Sequence, residues 1–347
     1  MKLDILVPHW QETREEMEPL LDSVMVQQGI DLGDVGVIIA YDGPEASELP
    51  VDEWAERYPF PITHVHANKG GVSHTRNAAL DVSEADYVMF CDADDCFCDS
   101  CGLFLVFREM ESQPNPQELA MYGVTPQEAG TGFDTLVSVF REENKDPKTG
   151  DIVYLNRDND STFVHGKVHR RQYLLDNGLR FDDSLTIHED SYFNILCREC
   201  AKPYRAKYCP MPFYLWKWRD ASVCRHDDKY ILKTFRNMLD SNDALVDEFT
   251  RRMMPEKATQ YCAMMVFDSY YTMCKPEWLS EVNAEYRERT ERRFAKYFRK
   301  HRKKWDSLTQ QEKAVISNGV RQRSVMEGML VEPITVDDWL DRVLRKY

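Results

Sequence analysis

The sequence has no run of about 18 apolar residues, the length that a membrane-spanning helix requires. Its start does not fit a secretory signal either, because the apolar run is short and contains Asp4. The ten cysteines have no regular spacing, which indicates thiols in a reducing compartment and not a disulfide framework. Across 347 residues we therefore expect a cytoplasmic protein with one large domain, or with one domain and an appendage.

Two apolar segments near the start, residues 3–7 and 35–40, have the character of buried strands. Residues 15–27 between them carry apolar side chains at helical spacing. A strand–helix–strand order predicts a parallel sheet in an α/β domain. Ligands of such sheets bind beyond the carboxyl ends of the strands, which is where Trp10 and Asp42 stand.

A third apolar segment, residues 87–91, leads directly into Asp92, Asp94 and Asp95. Carboxylate oxygens are the ligands that Mg²⁺ and Mn²⁺ prefer, and such ions usually also bind substrate phosphates. Asp is also common in turns and at helix starts, so this segment alone fits a metal site and an acidic loop equally well.

A glycine pair, Gly70 and Gly71, precedes a predicted helix that carries Arg76 in its opening turns. Free backbone N–H groups and a guanidinium together suit an anionic ligand.

In order and at ordinary spacing, these features resemble the motifs of glycosyltransferase family 2, which has the GT-A fold, a Rossmann-like mixed sheet flanked by helices. The resemblance covers roughly residues 1–225, and the joint pattern is more specific than any single piece. The matching segments are Pro8-His9-Trp10, Asp42-Gly43, Asn68 to Asn77, Asp92-Ala93-Asp94-Asp95, Gly166-Lys167 and Glu189-Asp190.

The resemblance implies a nucleotide diphosphate sugar as donor, with uracil the favoured base. Asp42 would accept a hydrogen bond from the base, Trp10 would lie near its ring, and Arg76 would hold the diphosphate. The residues implied to contact the donor are Pro8, Trp10, Asp42, Asn68, Gly71, Arg76, Asp92, Lys167, Arg219 and Ser222.

The resemblance further implies a Mn²⁺ or Mg²⁺ ion held by Asp94 and Asp92. His226 could be a further ligand, or a histidine at a helix start or on the surface. Asp190, next to Glu189 in the catalytic pair, would be the base that deprotonates the acceptor hydroxyl. A single base and in-line attack predict inversion at the anomeric carbon. The acceptor would be a glycan, a lipid-linked oligosaccharide or another polymer.

Two departures from the family pattern bear on these expectations. Tyr41 stands where a first acid commonly precedes the Asp-Gly pair, which leaves the choice of uracil open. The sequence has no Gln-x-x-Arg-Trp segment, so we expect a non-processive enzyme.

After about residue 226 the apolar residues follow helical spacing, which predicts an α-helical C-terminal region at 226–347 after a catalytic domain at 1–225. Residues 287–304, from Arg287 to Lys304, contain ten Lys and Arg against two Glu, in a chain of net charge −15. Such a helix could be a solvated face, or could contact nucleic acid, a polyanionic glycan or the inner face of a membrane.

Three alternatives stay open from the sequence. A catalytically silent nucleotide-sugar or glycan-binding protein would share the fold, although the intact acidic residues speak against it. A nucleotidyltransferase usually has a Gly-rich phosphate loop after the first strand, where this chain has residues 8–12. Zinc could also be bound between two groups of cysteines, which are Cys96, Cys98 and Cys101, and Cys197 and Cys200.

Overall fold

The computed structural model describes residues 2–111, 116–126, 153–154, 162–202, 205–217, 230–279, 284–329 and 331–347. It divides into two compact units, Met1–Asp220 and Ala221–Tyr347. The predicted boundary at residue 225 falls in a stretch outside the described residues and stays a prediction. Within the described ranges, no helix has both the length and the apolar composition needed to cross a membrane.

The first unit is built on one mixed sheet. Its strands are β1 Leu3–His9, β2 Val35–Tyr41, β3 Ile62–His66, β4 Tyr87–Phe90, β5 Cys96–Phe97, β6 Leu119–Pro126, β7 Val153–Tyr154, β8 Lys167–Arg170 and β9 Ala206–Trp216. They are ordered β3-β2-β1-β4-β8-β6-β9-β5, with β7 paired to β9. The first four are parallel, and β8 runs antiparallel to both β4 and β6.

Helices cover this sheet, which is why its central strands are buried on both faces. In chain order they are α1 Arg14–Met25, α2 Val51–Arg57, α3 Val72–Val82, α4 Gly102–Met110, α5 Arg171–Asp176 and α6 Glu189–Cys200. Thr13 and Glu16 form a capping box that fixes the start of α1 after the first strand. Ile5, Ile39 and Met89 are fully buried, and each such side chain contributes about 1.5–3 kcal/mol.

The register of the parallel strands brings the predicted site residues to one edge. His9 is paired with Tyr41, and Leu6 is paired with Phe90, so β1, β2 and β4 end near one another. Asp42 follows β2 directly, and Asp92 lies two residues beyond β4. The antiparallel strand β8, and beyond it the strands β6 and β9, which are parallel to each other, extend the same sheet on the far side of β4.

The described part of the second unit is helical. Its helices are α7 Tyr230–Arg251, α8 Pro255–Met273, α9 Pro276–Leu279, α10 Ala284–Asp306, α11 Gln310–Met326 and α12 Val336–Lys346. Helix α8 begins with Pro255. Proline suits this position because it has no backbone N–H, and the N–H groups of a first turn have no partner within the helix. Aromatic side chains from three helices, Tyr270, Phe294 and Trp339, pack against one another in its interior.

Candidate active site

Arg76 lies at the centre of the candidate site. It projects from α3, is buried, and donates to Glu189 Oε1 at 2.8 Å and to Asp92 Oδ1 at 3.1 Å. Its guanidinium also lies over the ring of Phe181, 5.3 Å from the centroid. Burial disfavours the charge, but the two carboxylates outweigh this effect and raise the pKa of Arg76. One cation therefore joins the end of β4 to the start of α6.

Asp92 also faces a histidine from the loop before β8. His165 Nε2 lies 3.2 Å from Asp92 Oδ2, and the Asp92 side chain keeps 34% of its surface exposed. Burial acts to raise the pKa of Asp92, but the hydrogen bond with His165 and the charge of Arg76 hold it well below its usual range. Asp92 is thus an anion that is still open to a ligand.

Asp95 is the most deeply buried carboxylate of the acidic cluster. Its Oδ2 accepts a hydrogen bond from the Tyr214 hydroxyl at 2.6 Å, and its Oδ1 accepts one from the Lys217 backbone N–H at 2.8 Å. Burial raises the pKa of Asp95 to about 7, partly offset by His165, whose Nε2 lies 3.7 Å away. Asp95 therefore links the acidic cluster to the end of β9.

The ligand atoms of Asp92, Asp95 and His165 lie within 4.8 Å of one another, close enough to share a metal ion. Two carboxylates and an imidazole are a donor set that fits Mn²⁺ and related divalent ions. One other such group occurs in the described residues, Asp243, Asp247 and His301 in the second unit, and neither group includes a cysteine. Asp94 is partly exposed beside the first group, and its role as a ligand stays a prediction.

Asp42 holds the turn that starts α3. Its Oδ1 accepts hydrogen bonds from the Gly71 N–H at 2.5 Å and from the Thr75 hydroxyl at 2.9 Å. Gly71 caps the helix with φ 120°, a conformation suited to glycine. The contact between Asp42 and a nucleotide base stays a prediction.

The catalytic pair predicted from the sequence opens helix α6. Glu189 is buried against Arg76, and Asp190 is half-buried, with Oδ1 accepting from the Ser191 N–H at 2.7 Å. Burial and the charge of Asp190 raise the pKa of Glu189 to about 7, against the lowering effect of Arg76. Negative charge is favourable in a first helical turn, which suits both carboxylates.

The remaining predicted donor contacts lie in different surroundings. Trp10 is 40% exposed after β1, and Pro8 lies within that strand. Asn68 is exposed and contacts His74 Nε2 at 2.7 Å. Lys167 is buried in β8, where its ammonium donates to the Phe163 carbonyl. The structure therefore gives Lys167 a local partner, and its contact with a donor stays a prediction.

Three predicted residues, Arg219, Ser222 and His226, lie outside the described residues. Two others that lie in the candidate site, His165 and Tyr214, had no role in the sequence interpretation. His165 stands directly before the Gly166-Lys167 pair, so a polar residue at that position was the available signal. Tyr214 offered no signal, because it is one aromatic residue in a strongly apolar strand.

The predicted basic segment forms most of α10, and part of its charge is paired within the second unit. Arg293 contacts Asp240 at 2.5 Å, and Lys300 contacts Asp243 at 2.9 Å. Tyr297 donates to the same Asp240 at 2.8 Å. One face of the helix therefore binds its own neighbour, α7.

Comparison with known proteins identifies a family for the first unit. Residues 4–174 match the model of glycosyl transferase family 2. The minor teichoic acid biosynthesis protein GgaB of Bacillus subtilis is 26% identical over 178 residues, which are 51% of this chain and 18% of that protein. The poly(ribitol-phosphate) β-N-acetylglucosaminyltransferase TarS of Staphylococcus aureus is 24% identical over 196 residues, 56% of this chain and 32% of that protein. The matched part thus spans less than a third of these relatives.

Solved structures show the same fold. The S. aureus TarS 1–349 structure in complex with UDP-GlcNAc matches with a TM-score of 0.63 and 14% identity, covering 96% of this chain and 93% of that one. The mannosyltransferase PcManGT of Pyrobaculum calidifontis, in complex with GDP-Man and Mn²⁺, matches with a TM-score of 0.50 and 14% identity, covering 99% and 84%. The predicted GT-A fold with a helical C-terminal region is confirmed.

Proposed function

We propose that the chain, whose residues 4–174 belong to glycosyl transferase family 2, is a glycosyltransferase that moves a sugar from a UDP-sugar to a hydroxyl of a polymer built on polyol phosphates. The observation that carries this proposal is the arrangement of Asp92, Arg76 and Glu189 at the carboxyl edge of the sheet, where one buried cation joins both acidic motifs. The acceptor class rests on the names of the relatives, TarS and GgaB.

A divalent ion would be held by Asp92 and Asp94, with His165 and Asp95 close enough to Asp92 to complete or orient its ligands. When bound, such an ion neutralises charge that develops on a leaving diphosphate. The fit rests on the donor set of Asp92, Asp95 and His165, which combines two carboxylates with one imidazole.

The chain's own groups supply the remaining chemistry. Asp42 keeps the Gly71 turn in place, so that the N–H groups at the start of α3 are available to an anion. Asp190 accepts the proton from the acceptor hydroxyl while Glu189, locked on Arg76, fixes the start of α6. With a single base on the acceptor side, the acceptor oxygen displaces the leaving diphosphate in one step, so the configuration of the anomeric carbon is inverted.

The donor half of the proposal is tested by calorimetric binding of UDP, GDP, CDP and dTDP, with and without Mn²⁺. We expect selective binding of UDP that depends on Mn²⁺ and that is lost in Asp94→Ala. Asp81→Asn, which changes an exposed carboxylate on α3 paired with Arg180, is the matched control and should bind UDP normally. Equal binding of all four nucleotides would contradict the uridine assignment.

The ligand assignment is tested separately by titrating Mn²⁺ and following its paramagnetic resonance signal. Loss of Mn²⁺ binding in Asp94→Ala with retention in His165→Gln would favour the Asp92 and Asp94 pair alone. Loss in both variants would place His165 beside the ion. Retention in both variants would contradict a metal site at this edge.

The catalytic half is tested with Asp190→Asn, which keeps the size of the side chain and removes its basicity. We expect UDP binding to persist and transfer to fall by at least about 10²-fold, the lower range for a general base. Asp182→Asn, in the turn before α6, is the control, because the amide oxygen can still accept the hydrogen bonds from Ser184. Full activity of Asp190→Asn would show that another group is the base, and UDP binding without transfer in the parent would favour a silent binding protein.

A further inference from the structure

Helix α10 has two basic faces, and only one of them packs against the acids of α7. On the inner face, Arg293, Lys300 and His301 meet the acids of α7, with His301 Nε2 2.6 Å from Asp243 Oδ1. These contacts explain why a strongly basic helix packs stably in an acidic chain.

The outer face carries Arg292, Lys296, Arg299 and Lys303, which we call the basic stripe. All four residues are exposed. Arg292 contacts Glu288 at 2.7 Å, and Arg299 donates to the Leu344 carbonyl at 3.2 Å. Throughout the described chain, no carboxylate pairs with Lys296 or Lys303.

The spacing of the basic stripe makes it a continuous row. Its members are three or four residues apart, which places them on one side of a helix. Successive members are about 4.5–6 Å apart along the axis, and the row is about 16 Å long. A row of this kind can contact several phosphates of one linear chain at once.

The aromatic residues of α10 argue against membrane insertion. Phe294 and Phe298 are fully buried in the second unit, and the Tyr297 hydroxyl donates to Asp240. A helix that lies in a membrane surface needs an exposed apolar face beside its basic face, whereas the apolar face of α10 is buried within the second unit. The basic stripe is therefore a purely polar surface.

The helix dipole explains the presence of only some of the cations in the basic stripe. Lys303 lies in the last turn, where a cation complements the helix dipole. Lys296 lies in the middle of the helix, where that effect is absent. A row of cations kept on the surface of a chain of net charge −15 therefore points to an external anion.

We propose that the basic stripe binds a linear polyol-phosphate polymer, the acceptor class inferred above, through its phosphodiester groups. This inference rests on the proposed function for the choice of polymer. The stripe makes contacts with phosphates at several repeats, so affinity grows with polymer length and falls with added salt.

The test compares the parent with Lys296→Gln/Lys303→Gln, two substitutions that remove no ion pair among the described residues. Binding of poly(ribitol phosphate) oligomers of increasing length is measured by calorimetry at several salt concentrations. We expect about tenfold weaker binding of long oligomers and a salt slope shallower by about 1.4, since two phosphate contacts are lost. The matched control is Arg251→Gln/Arg323→Gln, which removes the same charge from exposed positions of α7 and α11.

The outcomes separate this inference from the proposed function. Unchanged polymer binding in the stripe variant, or an equal loss in the control, overturns the stripe as the binding surface. Tighter binding of single-stranded DNA of equal charge, or of phosphatidylglycerol vesicles, overturns the choice of partner. UDP binding is measured on the same samples: if it is absent in the parent while the stripe variant still loses polymer binding, the proposed function fails and the surface stands.

Discussion

At the scale of single residues, the decisive interaction is that of Arg76 with two carboxylates from distant parts of the chain. A buried cation between Asp92 and Glu189 is stable only while all three are present, because each charge compensates the desolvation of the others. The same group lies where an anionic donor is expected. Stability and donor binding therefore depend on one side chain.

We predict that Arg76→Ala lowers the free energy of unfolding by about 3–5 kcal/mol, as expected when one partner of a buried ion pair is removed. Urea unfolding followed by circular dichroism measures this loss. Arg180→Ala, which breaks an exposed pair with Asp81, is the control and should cost about 1 kcal/mol or less. An equally small cost for Arg76→Ala would show that the buried pair does not stabilise the fold.

A second residue, His169 in β8, contributes to the pH dependence of stability. It is fully buried against Phe90 and Phe193, and neither ring nitrogen has a hydrogen-bond partner in the described part of the chain. Burial and the nearby Lys167 lower the pKa of His169 to about 3. The folded protein therefore excludes a proton that the unfolded chain takes up near its ordinary pKa of about 6.5.

Above pH 6.5, His169 is neutral in both the folded and the unfolded state and does not affect the pH dependence of stability. Below pH 6.5 the free energy of unfolding decreases as the pH falls towards 3, because only the unfolded state gains a proton in that range. Between pH 6.5 and 5 the loss should be about 2 kcal/mol. We predict that His169→Leu removes this part of the pH dependence in urea unfolding measured from pH 5 to 7.5. His64→Gln, on the exposed edge of β3, should leave the parent slope unchanged, and an unchanged slope in His169→Leu would contradict the assignment.

The sequence pointed to individual acids but not to their partners. Asp92 and Asp190 were predicted as site residues because each stands within a recognisable motif, and their roles stay predictions. The contact of His165 with Asp92 spans 73 positions in the chain and exists only because β8 adds to the sheet beside β4. No local pattern encodes such a pairing.

At the scale of elements, the start of α3 depends on the turn after β2. Gly43 has φ 79°, and a Cβ placed there would lie 2.8 Å from the backbone nitrogen of Gly70. The two turns are therefore in direct backbone contact, and Asp42 bridges them through the Gly71 N–H. Any side chain at position 43 must separate these turns.

We predict that Gly43→Ala lowers the free energy of unfolding by more than the roughly 1–2 kcal/mol that a positive φ alone costs, and that it weakens UDP binding. Gly178→Ala is the matched control, since Gly178 has φ 56° but nothing within 4 Å of the added Cβ. The difference between the two variants isolates the backbone clash. Equal losses, with normal UDP binding, would show that the turn adapts.

The parallel strands β1 and β2 were predictable from the sequence, whereas the antiparallel strand β8 was not. Residues 3–7 and 35–40 are near-continuous apolar runs, which is typical of strands buried on both faces, and the structure has β1 and β2 there. Strand β8 reads Lys-Val-His-Arg, with two polar residues that are nevertheless buried. The polar composition of β8 therefore gives no indication that it is a central strand of the sheet.

At the scale of the whole molecule, charge is distributed so that the basic helix is held by its own unit. The sequence predicted the helical character and the basic segment, but not that an acidic row on α7 would take one face of it. Asp240, Asp243 and Asp247 are three, four and seven residues apart, so they lie along one side of α7. Which helix this row contacts depends on how the helices pack, and the sequence alone does not predict it.

The second unit should therefore depend on Asp243, which contacts both Lys300 and the buried His301. We predict that Asp243→Ala lowers the free energy of unfolding by about 3 kcal/mol, because it removes the carboxylate nearest to His301 and leaves Lys300 with one partner fewer. Asp341→Ala, which breaks an exposed pair with Arg345, is the control and should change stability by less than about 1 kcal/mol. Urea unfolding at constant pH measures both variants. If Asp243→Ala is no more costly than the control, the packing of aromatic residues holds α7 to α10. The acidic row on α7 would then determine only which face of α10 stays exposed and can bind the polymer.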